Sequence, residues 1–315
     1  MPELPEVETI ARGLAKRVTG DVVESVWLTQ KKESLKSPAS EIAAVLEQSH
    51  ITAVRRMGKH IVFDLEPNQD HVARAPSPAK TRTTNRTTNR KAKSSSGSSK
   101  KIVPAAAAEA GQSESSKAQW IVHLGMTGSL RICEPQTDVA KHTHAILKLS
   151  SGRELRFVDP RRFGRLSVAS AGDFAATGVE PLEVDLERFI PLFRGRETPI
   201  KSALLNQKLL RGVGNIYADE SLFRAGIRPR RRAASITRDQ LGKLFVAVQA
   251  VLKEAIALGG SSVSDYVDAD GEEGFFQLQH RVYGREAEPC LVCKTPIKRV
   301  VIAGRSSHYC PRCQK

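Results

Sequence analysis

Aromatic residues are scarce in this sequence, and long apolar runs are absent. Phe, Trp and Tyr make up 5% of 315 residues. No uninterrupted apolar run approaches the ~18 residues of a membrane-spanning helix, which excludes a helical membrane protein. The first residues, Met1 to Thr9, carry three glutamates and lack the apolar segment of a secretory signal. A cytoplasmic protein without a membrane partner is therefore expected. Cysteine is also rare, with five in the chain, four of them crowded near Lys315. That argues against a disulfide-stapled secreted scaffold. Acidic residues are outnumbered, 34 Asp and Glu against 49 Lys and Arg, for a net charge of +15. A surplus of this size points to a polyanionic partner, nucleic acid above all.

The charge is uneven. Residues 71–117 hold ten Lys and Arg against Glu109 and Glu114, amid a TTNR repeat, a Ser/Gly tract and an alanine run. Such composition cannot bury a core, so a disordered basic insertion is expected at about 68–118. The rest of the chain stays basic without it.

Around the insertion the periodicity is regular. Val7, Ile10, Ala11, Leu14 and Val18 recur at helical spacing, with Pro5 suited to the first turn and Glu6 and Glu8 to its positive end. Short strands are expected at 22–29, 51–56, 60–66, 120–124, 129–133, 144–149 and 154–158, separated by glycine-bearing turns. Helical spacing returns at 186–193, 199–207, 216–225 and 237–258. The fold class is α+β. An N-terminal β-sandwich with one amphipathic helix is expected over 1–178, a helical domain over 179–284 and a cysteine hairpin over 285–315.

Cys290, Cys293, Cys310 and Cys313 form C-x2-C-x16-C-x2-C. Each pair places two thiolates on one knuckle, and two knuckles close a tetrahedral shell around one structural Zn²⁺. Cys133 is left over and reads as a buried apolar thiol.

Six segments occur in a telling order: Met1-Pro-Glu-Leu-Pro-Glu-Val-Glu-Thr9, Arg56-Met-Gly-Lys-His60, His123-Leu-Gly-Met-Thr-Gly128, Asp159-Pro-Arg-Arg-Phe-Gly164, Gly212-Val-Gly-Asn-Ile-Tyr217 and Gly304-Arg305 before Tyr309-Cys310. With the cysteine spacing, the chain resembles the bacterial formamidopyrimidine-DNA glycosylases throughout, except for the insertion. The resemblance implies a helix–two-turn–helix in the helical domain. It also implies damaged double-stranded DNA in the cleft between domains, and a monomer with no obligate protein partner.

It further implies base excision followed by strand cleavage through β,δ-elimination. The nucleophile would be the secondary amine of Pro2, exposed once Met1 is removed. An α-amino group titrates near pH 8, well below lysine at about 10.4, so part of it is neutral in the cell. The positive helix end beside it should lower that value further. Glu3 would be the acid/base, with Glu6 in support. Lys59 would act in the first elimination, and Arg305 in the second. Met126, Arg161 and Phe163 would fill the space left by the flipped nucleotide. Phosphate contacts are expected at His142, Arg162, Arg196, Lys201, Asn215 and Arg305, and a lesion-capping loop at 259–277. Oxidised purines (8-oxoguanine and formamidopyrimidines) are the expected substrates. An endonuclease VIII-like enzyme for oxidised pyrimidines and a non-catalytic zinc-ribbon DNA binder remain as alternatives.

Overall fold

The computed structural model describes residues 2–30, 32–67, 117–262, 266–269 and 271–315. Met1 and almost all of the expected insertion lie outside the described residues.

The N-terminal helix α1 (Leu4–Val18) forms where its apolar stripe demands it, with Pro5 in the first turn. Two four-stranded antiparallel sheets follow. One has the order β1 (Val23–Leu28), β6 (Thr143–Leu149), β7 (Glu154–Val158), β5 (Ser129–Cys133). The other runs β2 (Ser49–Met57), β3 (His60–Pro67), β4 (Ala118–His123), β8 (Arg165–Ser170). They face each other over Ile61, Phe63, Trp120 and Val122 on one side and Ala145, Leu147, Leu155 and Phe157 on the other. The expected insertion falls between the antiparallel neighbours β3 and β4, where Leu65 pairs with Ala118.

Two elements were not foreseen. Helix α2 (Ala39–Leu46) sits between β1 and β2 and buries only Ile42 and Leu46. Strand β8 is an edge strand whose sequence, RLSVAS, has one fully buried residue, Leu166. Helix α2 is two turns long and too short to show a period, and β8 carries too few apolar residues to show one.

The helical part contains α3 (Leu186–Phe189), α4 (Ile200–Leu205), α5 (Asn215–Arg224) and α6 (Arg238–Ala257). The helix expected over 186–193 is shorter. It tightens into a 3-10 turn at Ile190–Leu192, where Pro191 lacks the N–H that would continue the ladder. The helix expected over 199–207 is trimmed to α4, with Pro199 and Asn206 as its caps. Between α4 and α5, Gln207 closes two successive turns. It donates to the carbonyls of Leu205 and Val213 at 2.9 and 2.8 Å and accepts from Gly212 N–H at 2.8 Å.

The two main cores do not respect chain order. Val7, Ile10 and Leu14 of α1 lie in the sandwich core, but Leu4 lies in the helical core with Val213, Tyr217 and Phe276. Ala269, from the far end of the chain, packs into the sandwich core. The first turn of α1 therefore sits in the seam between the two.

Candidate active site and zinc hairpin

The seam holds two carboxylates. Leu4 N–H donates to the Gly212 carbonyl at 3.0 Å, which draws Pro2 and Glu3 over the start of α5. Glu3 is buried, and its Oε1 accepts from Ile216 N–H at 3.3 Å. A side chain on Gly214 would overlap the Glu3 carboxylate, so glycine is required for this approach. Glu6 is buried beside it. It accepts from Glu3 N–H and Ser261 N–H, both at 2.8 Å, and from the Tyr217 hydroxyl. Ser261 belongs to the root of the expected capping loop, so the loop is tied to α1. The ends of that loop pair through Ser261 and Phe275.

Burial raises the Glu3 carboxyl to about 7, against a lowering pull from Lys59 and a raising push from Glu6. Burial raises Glu6 as well, offset by its hydrogen bonds. The same desolvation lowers the Lys59 ammonium, although both glutamates favour its charge. A carboxyl near neutrality beside a lowered lysine can both give and take protons at cellular pH.

Glu3, Lys59, Met126, Asn215, Tyr283 and Arg305 line one cavity of about 340 Å³. Lys59 reaches it from the β2–β3 turn, where Gly58 takes a φ of +61°. Met126 comes from the turn joining β4 to β5, a crossing between the two sheets. That turn is held against the loop after β7 by the buried Asp159. Its carboxylate accepts from the Thr127 hydroxyl and Gly164 N–H, both at 2.7 Å. A side chain on Gly125 would strike the Phe163–Gly164 backbone, and one on Gly164 the buried Phe157 ring. Phe163 is half exposed on the same ledge, with the Arg161 guanidinium 5.0 Å from its ring centre.

The remaining expected residues are scattered. His142 and Arg162 are half-buried on the sandwich side, and Arg162 sits in the left-handed region at φ +58°. Arg196 is exposed, with Nε donating to the Leu192 carbonyl at 2.6 Å. Lys201 corrects an expectation. It has no exposed surface, pairs with Asp219 at 2.7 Å and donates to the Ser306 carbonyl at 2.6 Å. With both partners inside, it braces the C-terminal hairpin and offers no free cation to a phosphate. Sequence reasoning passed over Tyr283 and Asp159. Asp159 stood at the head of a quoted motif, whereas Tyr283 carried no local signal.

The hairpin consists of β9 (Lys298–Ile302) and β10 (Arg305–Tyr309). Its two-residue tip, Ala303-Gly304, has φ of +46° and +74°, the geometry of a tight type I′ connection. Asp219 anchors it through Ser307 Oγ at 3.0 Å and His308 N–H at 2.8 Å. The four cysteine sulfurs lie within 4.8 Å of one another, with 3.9 Å between Cys290 and Cys313 and 3.4 Å between Cys293 and Cys310. A tetrahedral shell with Zn–S bonds of about 2.3 Å needs sulfurs about 3.8 Å apart. The four thiols fit one structural zinc and leave no open coordination position for substrate.

Family models for the formamidopyrimidine-DNA glycosylase N-terminal domain, its H2TH domain and the zinc finger found in FPG and IleRS match residues 1–166, 177–267 and 287–315. The formamidopyrimidine-DNA glycosylase of Solibacter usitatus is 40% identical over the full length of both chains. This chain belongs to the formamidopyrimidine-DNA glycosylase family. The Gluconobacter oxydans member is 37% identical, again over both whole chains. Among solved structures, the MutM (Fpg) protein of Thermus thermophilus is 36% identical. It superposes with a TM-score of 0.75 over 99% of this chain and 98% of that one. The wild-type Lactococcus lactis Fpg, in complex with DNA containing N7-benzyl-Fapy-dG, gives 0.79 at 27% identity with both chains wholly covered. The family's zinc finger and the sulfur geometry agree on one structural zinc. Among the described residues, no helix is long and apolar enough to cross a membrane.

Proposed function

We propose that the chain is a DNA-repair glycosylase with abasic-site lyase activity. It excises oxidised purines from duplex DNA and works on the bacterial nucleoid. The observation that carries this reading is the placement of Glu3, one residue from Pro2, in a cavity shared with Lys59, Arg305 and Met126.

Once Met1 is removed, the lone pair of the Pro2 nitrogen attacks C1′ of the damaged nucleotide. The C1′–N bond to the base breaks, and the base leaves with the proton that the Pro2 nitrogen sheds after attack, which restores the nitrogen lone pair. Glu3, protonated in part near pH 7, gives its proton to O4′ as the sugar opens. The nitrogen lone pair then forms the iminium. That electron sink permits loss of a C2′ proton and departure of the 3′ phosphate. A second elimination releases the 5′ phosphate, leaving a one-nucleotide gap. Lys59 serves the first elimination and Arg305 the second.

Met126, Arg161 and Phe163 occupy one ledge beside the cavity, as a wedge that fills the vacated stack requires. His142, Arg162, Arg196, Asn215 and Arg305 supply phosphate contacts. The zinc keeps the Arg305 hairpin folded. Purine lesions are favoured because the Lactococcus lactis relative is solved with several Fapy-dG DNAs, although also with an oxidised pyrimidine.

The test is borohydride trapping and cleavage on duplexes bearing 8-oxoguanine, formamidopyrimidine or thymine glycol, with wild type and Pro2→Gly. The expected result is a covalent adduct and cleavage on the purine lesions, both reduced in the variant, whose glycine amine is primary. Activity confined to thymine glycol would overturn the purine assignment. DNA binding without any adduct would overturn the enzyme.

A further inference from the structure

The cluster around Arg56 is not explained by the chemistry above. Arg56 is the penultimate residue of β2, three residues before Lys59, and its side chain is 6% exposed. Nε donates to Glu8 of α1 at 2.7 Å. The two terminal nitrogens grip Glu180 at 2.9 and 2.8 Å, and one of them also reaches the Gly58 carbonyl at 3.2 Å. Glu180 lies in the segment that leads into the helical domain. It takes a further bond from Arg211 at 3.2 Å, and Arg211 in turn donates to the Ala176 carbonyl at 3.0 Å. Arg12, exposed, holds the other Glu8 oxygen at 2.7 Å, so three guanidinium groups share two carboxylates, with Arg56 the buried member.

What this cluster grips is specific. Glu8 lies on the helix that begins with Pro2 and Glu3. Arg211 precedes Gly212, whose carbonyl fixes Leu4. The Gly58 carbonyl belongs to the same rigid peptide plane as the Lys59 N–H. The tie is reinforced by a contact of Ala176 N–H with the Met57 sulfur at 3.2 Å. One planar fork thus joins the helix that supplies the cavity's acid, the turn that supplies its lysine and Glu180, from which Arg211 carries the tie toward the start of α5. A lysine, a point charge on a flexible stem, cannot hold these partners together.

We propose that Arg56 is a positioning residue that sets Lys59 against Glu3, by clamping the peptide plane leading into Lys59 to α1 and to the entry of the helical domain. This rests on the reading of Lys59 as a group that acts at the cavity. Arg56 itself does not line the cavity, so it acts only through the turn.

The experiment compares wild type, Arg56→Lys, Glu8→Gln and Arg55→Gln. Each is measured for melting temperature, for binding of a duplex with a non-cleavable abasic analogue, and for single-turnover cleavage of a preformed abasic site across pH. Arg55 pairs with Asp64 on the outer edge of the sheet and serves as the control, expected to match wild type. Arg56→Lys should bind within about threefold of wild type but cleave at least about tenfold more slowly, the scale of a side chain displaced by a fraction of an ångström. Glu8→Gln, which loosens one arm of the fork at a half-buried position, should lose less.

The pH profile separates positioning from general softening. Glu3 is faced by Lys59 from the β2–β3 turn, Glu6 from α1, Tyr217 from α5 and Lys201 from α4. Tyr283 and Arg305 face it from the C-terminal part, and the Pro2 amine, freed with the loss of Met1, stands on the preceding residue. Lys59 pulls the Glu3 carboxyl down, so withdrawing it moves the alkaline limb to higher pH. Normal cleavage and an unmoved limb in folded Arg56→Lys would overturn the proposal. If Arg56→Lys does not fold, a wild-type rate and profile in Glu8→Gln would overturn it. Absence of cleavage and trapping in the wild type would instead overturn the enzymatic reading itself.

Discussion

Around Cys290 to Cys313, all four ligands come from one hairpin and its two knuckles. The buried carboxylates at the start of α1 are completed by Lys59, Gly214, Ile216, Tyr217 and Ser261, which come from separate parts of the chain. The first site is a matter of spacing. The second is a matter of convergence, built where the sandwich core and the helical core share one helix. The difference teaches how each should fail. A local site fails as a folding unit and leaves its neighbours intact. A convergent site loses chemistry when any contributing segment shifts, even if every segment stays folded.

The comparison is most open to being broken at Pro2. Pro2→Gly should cause the largest loss of strand cleavage, because glycine leaves a primary α-amine in place of the secondary amine whose iminium carries its charge at any pH. Melting should fall only slightly, since the buried Pro2 ring belongs to neither main apolar core. Single-turnover cleavage and a thermal melt check both halves.

Glu3→Gln should cost about 10²-fold in base excision, the scale of one proton-transfer group. It should also sharpen the comparison through stability. Burial raises the Glu3 carboxyl from 4.5 to about 7, so the folded state holds its proton more tightly than the unfolded chain. That contribution is fully present below 4.5 and is lost as pH rises through about 7. The melting temperature of the wild type should therefore fall relative to Glu3→Gln over this interval, and a melt series in pH checks it. In activity, the wild type should show an alkaline limb near pH 7 as Glu3 gives up its proton.

Zinc removal tests the other region. Chelation, or Cys293→Ser, should unfold the hairpin and release Arg305. DNA affinity should drop about 100-fold, the scale of two charge-assisted hydrogen bonds of about 1.5 kcal/mol each. The sandwich should keep its own melting transition. Calorimetry with and without chelator decides whether the two regions are separable, and a single transition that vanishes as a whole would show they are not.

The smallest effect is expected at Met126, 37% exposed on its turn. Met126→Ala should slow excision from duplex DNA by about tenfold, the worth of roughly two buried methylene groups. Cleavage of a preformed abasic site should be spared. Equal losses on both substrates would move Met126 from the wedge into the chemistry.

Sequence alone determined the zinc ligands, because C-x2-C places two thiolates on one knuckle wherever the knuckle lies. It also determined α1 and most strands, since period 3.6 and period 2 are local properties. The order of motifs brought Pro2, Glu3, Lys59 and Arg305 into view together, but no spacing along the chain could place Glu3, Lys59 and Arg305 in one cavity. Tertiary structure decided that Glu3 sits over Gly214, because only the packed start of α5 shows where a side chain has no room. It decided that Lys201 is an internal brace, since a lysine meets a phosphate or an aspartate according to what folding puts beside it. It decided that Tyr283 lines the cavity and that Arg56 joins α1, the β2–β3 turn and the entry of the helical domain. The physical reason is common to all of these. Burial and charge pairing depend on what converges in space, whereas periodicity and metal-ligand spacing are written in consecutive residues.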